Sequence, residues 1–98
     1  MSVHKIVCLC GAGLGSSIIM HMNAEEAVKQ LGHPEILIDH GTVAAARADA
    51  ADLFGVGRAL VHEIHGVPQD RIVVLENMLD KEEIEQKLAR AIQEAMLQ

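Results

Sequence analysis

The amino-acid sequence predicts an α/β domain built on one parallel sheet, and three observations carry that reading. Short apolar runs, of which Ile6 to Cys10 and Arg71 to Leu75 are the clearest, alternate with longer stretches whose apolar residues recur at helical spacing. A glycine-rich turn, Gly11 to Gly15, joins the first run to the first helical stretch, as strand-to-helix units of parallel sheets require. The 98 residues, half of them apolar, suffice for one core and not for two, so a single domain over residues 1–98 is expected.

Taken in order, Ile6-Val7-Cys8-Leu9-Cys10 is apolar at every position, which suits a central strand covered on both faces. From Ser16 to Leu31, the residues Met20, Ala24, Ala27, Val28 and Leu31 form one helical stripe, and Gly32 supplies a stop. Glu35 to Asp39 is a second strand ending at His40-Gly41, after which Thr42 is placed to cap an alanine-rich helix from Val43 to about Ala50. Asp52 to Gly57 reads as a third strand with glycine interruptions, followed by a short helical stretch from Ala59 to Ile64 and the breaker Gly66-Val67-Pro68. Arg71 to Leu75 is the fourth strand. Asp80, with Glu83 three residues on, opens a last helix that carries Ile84, Leu88, Ala91, Ile92 and Ala95 on one stripe. A βαβαβαβα alternation with right-handed crossovers gives four parallel strands in the order 2-1-3-4 with helices on both faces, a Rossmann-like, phosphatase-like arrangement.

Composition narrows the function. With 14 acidic residues against 8 basic, one Phe and neither Trp nor Tyr, the chain lacks the positive charge and the stacking surfaces that nucleic acids demand. There is no run of eighteen apolar residues to insert in a membrane, and Met1 to Lys5 leads straight into a strand, so a cytoplasmic protein is expected. Cys8 and Cys10 are too close in the chain to staple a fold, and four-ligand zinc spacing is absent. Of the histidines, His62 and His65, with His40, are weighed as metal ligands and read as solvated surface residues, so neither metal nor cofactor is expected.

The chemistry concentrates in Cys10-Gly11-Ala12-Gly13-Leu14-Gly15-Ser16-Ser17. In an open α/β sheet the functional crevice lies at the carboxyl ends of the strands where the connections diverge, here between the first and third strands. Gly11, Gly13 and Gly15 let consecutive backbone N–H groups turn inward as a nest, and the following helix adds its free N–H groups and dipole. Ser16 and Ser17 can cap that helix or donate hydroxyl hydrogen bonds. Such a cradle fits a tetrahedral dianion. Cys10 at its head supplies a nucleophile whose thiolate the same donors favour. Phosphorus about 3 Å from the sulfur would have its equatorial oxygens on those N–H groups, which serves in-line transfer without a metal.

Other phosphate loops are excluded by particular residues. A nucleotide-binding P-loop needs a lysine, and none occurs between Lys5 and Lys29. A Gly-x-Gly-x-x-Gly turn would place its third glycine where Ser16 stands, and although Asp39 ends the second strand, the chain is too short for the usual two-half dinucleotide domain. A cysteine-dependent phosphatase would keep arginine six residues after its cysteine, where this chain again has Ser16. Without that arginine, hydrolysis is slow and a phosphocysteine survives to be handed on.

Ile6 through Ser17, continuing to Met20, Met22 and Asn23, resembles the B component (enzyme IIB) of bacterial sugar phosphotransferase systems, the ascorbate-type branch in particular, which is related to the galactitol and lactose types. Ala51-Asp52 before the third strand and Asn77-Met78-Leu79 after the fourth resemble the same branch, so the likeness spans essentially the whole chain. Lactose-type relatives have other residues after the cysteine, and Gly11, Gly13 and Gly15 speak against that type. The resemblance implies a phosphorelay: phosphate passes from a phosphohistidine on the IIA component to Cys10, and from Cys10 to a sugar entering through the membrane IIC component. It implies Gly11 to Ser17 as the phosphate loop. A small carrier that shows one face successively to two partners is expected to be a monomer. The alternatives are a regulatory anion-binding module in which Cys10 is not phosphorylated, and a phosphatase or arsenate reductase-like enzyme with Arg47 or Arg58 as a displaced arginine. Cys8 is expected to be a small buried hydrophobe, Met20 a core residue and Met22 a partner contact.

Overall fold

In the computed structural model the described residues are 2–11 and 15–97, the side chains of residues 15–17 excepted. Four parallel strands, β1 (Lys5–Cys10), β2 (Leu37–Thr42), β3 (Leu53–Gly57) and β4 (Ile72–Leu75), form one sheet in the order β2-β1-β3-β4. Ile6 lies opposite Ile38 on one side and Leu53 on the other, so β1 is central as its unbroken apolar run predicts. Helix α1 (Gly15–Gln30) makes the crossover from β1 to β2, and α2 (Lys81–Met96) closes the chain after β4.

Both α-helices pack on the same face of the sheet. Met20, Ala24, Ala27 and Val28 of α1 meet Ile84, Leu88, Ile92 and Ala95 of α2 over Ile6, Cys8, Ile38, Leu53, Val73 and Leu75, and all are buried. The two stripes read from helical spacing are thus the buried ones, with Leu31 and Ala91 half-buried at their margins. Helix α1 ends where Gly32 takes φ +82, and the ending is a Schellman turn. The Gly32 N–H donates to the Lys29 carbonyl (3.1 Å) and the His33 N–H to the Val28 carbonyl (2.7 Å).

The opposite face is covered differently from the expectation. Leu9, Phe54 and Val56 are buried there under Val43, Ala51, Leu60, Val61, Ile64 and Val67, with no α-helix among the described residues of that face. The alanine-rich helix expected from Val43 to Ala50 is a single 3-10 turn, Val43–Ala45, and Thr42 makes no side-chain cap. Thr42 belongs instead to β2, which runs three residues past Asp39, opposite Cys8, Leu9 and Cys10. A stretch of eight residues, five of them alanine, offers little apolar surface to dock, and isolated helices so short are marginal. The guanidinium of Arg71 holds the chain in another course, donating to the carbonyls of Ala48 (2.6 Å), Asp52 (3.0 Å) and Ala51. The helical stretch expected from Ala59 to Ile64 is likewise a 3-10 turn, Arg58–Glu63, started by Gly57 without a side-chain cap. A further turn, Gln69–Arg71, leads into β4.

The lower ends of β1 and β3 are tied by Asp52. Its Oδ2 accepts from the N–H groups of His4 (2.7 Å) and Lys5 (3.1 Å), and its own N–H donates to the Lys5 carbonyl (2.9 Å).

Candidate functional site

The strand order puts the reversal of direction at β1, because the chain leaves it toward β2 on one side and β3 lies on the other. Cys10 is the last residue of this central strand and is opposite Thr42, the last residue of β2. Helix α1 begins at Gly15, so its N-terminus lies at the same end of the sheet. The Cys10 side chain is 2% exposed, and its Sγ stands 3.4 Å from the Gly11 carbonyl oxygen, in position to donate its S–H. Gly11 is beside Leu60, whose Cδ1 would lie 3.7 Å from a Cβ built there, so the Arg58–Glu63 turn adjoins the start of the loop. Of the expected cradle, Ala12, Gly13 and Leu14 lie outside the described residues, as do the side chains of Ser16 and Ser17; the backbone of Gly15, Ser16 and Ser17 is the first turn of α1.

Cys8, two residues before Cys10, is a different kind of thiol. It is 2% exposed within the helix-covered core, and burial pushes its pKa from 9.0 up to about 12, with the carboxylates of Asp39 and Glu25 adding to the shift. Such a sulfur is packing rather than a nucleophile at neutral pH.

Arg58 is exposed and pairs with the Glu76 carboxylate, and Arg47 is exposed on the segment after the Val43–Ala45 turn. His62 and His65 are exposed, His62 lying 4.0 Å from Glu63. His40 does not join them. Its Nδ1 is 2.9 Å from Nδ1 of His21 on α1, a pairing that sequence reading missed. The signal available for it is topological: a crossover helix between adjacent strands lies over both, so a residue near the middle of α1 can meet the end of β2.

Exposed apolar side chains gather on α1 just after its first turn. Ile18 and Ile19 are each 45% exposed and Met22 is 62% exposed, whereas Met20 is buried against Gly55, where a Cβ would lie 3.6 Å from the Met20 Sδ. No described helix is long and apolar enough to cross a membrane.

The family model described as "PTS system, Lactose/Cellobiose specific IIB subunit" matches residues 5–90. Among solved structures, the lactose-specific IIB component domain of the phosphoenolpyruvate:carbohydrate phosphotransferase system from Streptococcus pneumoniae superposes with a TM-score of 0.57 at 20% identity, over 98% of this chain and 97% of that one. At that identity the likeness is one of fold. No curated protein matches. The family match over residues 5–90 and the β2-β1-β3-β4 sheet lead to one conclusion: the chain belongs to the family of IIB components of sugar phosphotransferase systems, the phosphocarriers of sugar transport that work with IIA and IIC components.

Proposed function

We propose that Cys10 is the phosphorylated residue of this IIB component. The observation that carries the proposal is its position: the last residue of the central strand, at the switch point, five residues before the N-terminus of α1 at Gly15. The Cys10 thiolate attacks phosphorus of a phosphohistidine on the IIA component; the S–P bond forms as the N–P bond breaks, its electron pair returning to the imidazole. The backbone N–H groups from Gly11 to Ser17, through Ala12, Gly13, Leu14, Gly15 and Ser16, carry the charge on the equatorial oxygens, with the hydroxyls of Ser16 and Ser17 as further donors. A sugar hydroxyl held by the membrane IIC component then attacks the same phosphorus. Its proton is lost, and the S–P pair returns to sulfur. The absence of arginine at Ser16 supports slow hydrolysis between these two steps.

The sugar assigned is ascorbate-like or related, on the strength of Gly11, Gly13 and Gly15 in the loop, within a family described by lactose and cellobiose. The protein works in the cytoplasm as a monomer that shows one face to each partner in turn. The test is incubation with a phosphorylated IIA component. An acid- and base-sensitive adduct one phosphate heavier, lost in Cys10→Ser, is the expected result. A phosphorylated serine, no adduct with a competent donor, or fast turnover of aryl phosphates would overturn it.

A further inference from the structure

We propose that His21, His40 and Asp39 form a site for a divalent transition-metal ion of the zinc, cobalt or nickel class, joining α1 to the end of β2. One ligand atom from each of the three residues lies within 4.8 Å of the others. The two imidazoles present the same atom, Nδ1, to one another at 2.9 Å, with ring centroids 5.0 Å apart and planes inclined at 72°. Two nitrogens each bonded at about 2.0–2.1 Å to one ion stand about 2.9 Å apart at a right angle and about 3.4 Å apart at the tetrahedral angle. The observed spacing therefore fits neighbouring positions on a single ion.

The surroundings of His21 support the same assignment. Its Nε2 is 3.4 Å from Oε2 of Glu25, one turn further along α1. A carboxylate beside the far ring nitrogen favours the proton there and so leaves Nδ1 as a lone pair, the arrangement that orients metal-bound imidazoles. Without an ion, and with the His21 proton on Nε2, the close Nδ1 pair has His40 carrying its own proton on Nδ1 and donating it to His21. Binding moves that proton to Nε2 of His40, an exposed residue. Asp39 contributes a carboxylate oxygen: its Oδ1 accepts the His40 N–H at 2.8 Å, and its Oδ2 stands 3.9 Å from Nζ of Lys5. Two imidazoles and one carboxylate select zinc-class ions over magnesium or calcium, and water completes the coordination. The site is separate from Cys10 in its ligands, so its failure leaves the phosphocysteine untouched.

The experiment is titration of the full chain with Co2+, read by its d–d absorption, followed by competition with Zn2+ and Mg2+. Expected is one ion bound with nitrogen and oxygen ligands only, displaced by Zn2+ and not by Mg2+. His40→Ala, at an exposed position, weakens binding at least tenfold, and Glu25→Ala weakens it about tenfold through the lost orienting contact. In the paramagnetic proton spectrum of the Co2+ form, two solvent-exchangeable imidazole N–H signals shift, one from each Nε2–H. A sulfur-to-cobalt charge-transfer band, binding that His40→Ala leaves unchanged, or no binding at micromolar Co2+ would overturn the proposal.

Discussion

Cys8 and Cys10 share a strand face, being two residues apart, yet one lies inside the core and the other at its rim where α1 begins. With a thiol pKa of about 12, Cys8 holds almost no thiolate at pH 8. Iodoacetamide at that pH should therefore leave Cys8 of the native protein unlabelled and modify it on unfolding, as peptide mass spectrometry would read; prompt labelling in the native state would contradict the burial. The same shift has a sign for stability. The unfolded thiol ionises from about 9.0 and the folded one only near 12, so Cys8 stabilises the fold below pH 9 and that contribution is lost as pH rises toward 12. Cys8→Ala removes the effect, at a packing cost of about 1–2 kcal/mol, and leaves phosphoryl acceptance intact. At this scale the sequence is read well where one strand or one helix face decides the environment, as for Cys8 and Met20. It is silent about His21 and His40, 19 residues apart, whose meeting depends on how a helix lies across two strands.

Helix α2 shows how an element can start by a familiar signal and then use it in an unfamiliar way. Asp80 caps as its position implies, its Oδ1 accepting from the N–H groups of Glu82 (3.0 Å) and Glu83 (3.3 Å). In a capping box Glu83 would reach back to the Asp80 N–H. Its carboxylate instead accepts from the N–H groups of Glu76 (2.6 Å) and Asn77 (2.9 Å), beyond the end of β4, and from Nζ of Lys87 (2.7 Å), which also donates to the Val74 carbonyl (2.7 Å). The hydrogen bond from Lys87, with those from the backbone, draws the Glu83 carboxyl from 4.5 down to about 2. Glu83 thus stabilises the junction of β4 and α2 above about pH 4.5, and the contribution disappears as pH falls through 2. Glu83→Gln should cost about 1–2 kcal/mol at pH 7 and flatten the acid limb of the stability profile between pH 5 and 2, measured by urea unfolding at each pH. An unchanged acid limb would show that Glu83 does not hold the junction. Spacing alone marks Glu83 as part of a helix start; it cannot say which backbone N–H groups the carboxylate meets, because these belong to the preceding strand's exit.

The molecule as a whole is lopsided. One face of the sheet is closed by two sixteen-residue helices, the other by 3-10 turns and irregular chain held in part by the guanidinium of Arg71. Helical periodicity and strand runs made the first face and the strand order legible, since α1, α2 and all four strands declare themselves locally. On the second face the stretch 43–50 carries helix-forming alanines and no extended stripe, and the contacts that direct the chain after it come from Arg71, 19 to 23 residues away. Arg71→Ala should cost about 2–3 kcal/mol. It should also speed amide hydrogen exchange in residues 46–52 well before that in α1 or α2, as peptide-resolved exchange would detect. Uniform acceleration over the molecule would instead mean that the two faces open together. The tie at Asp52 has a geometric consequence for the other end of β1. It fixes Lys5, and at about 3.3 Å per residue the strand then acts as a ruler that sets the sulfur of Cys10 roughly 16 Å above that anchor. Adding or removing one residue along it would alter the reach and turn the sulfur to the opposite side of the sheet.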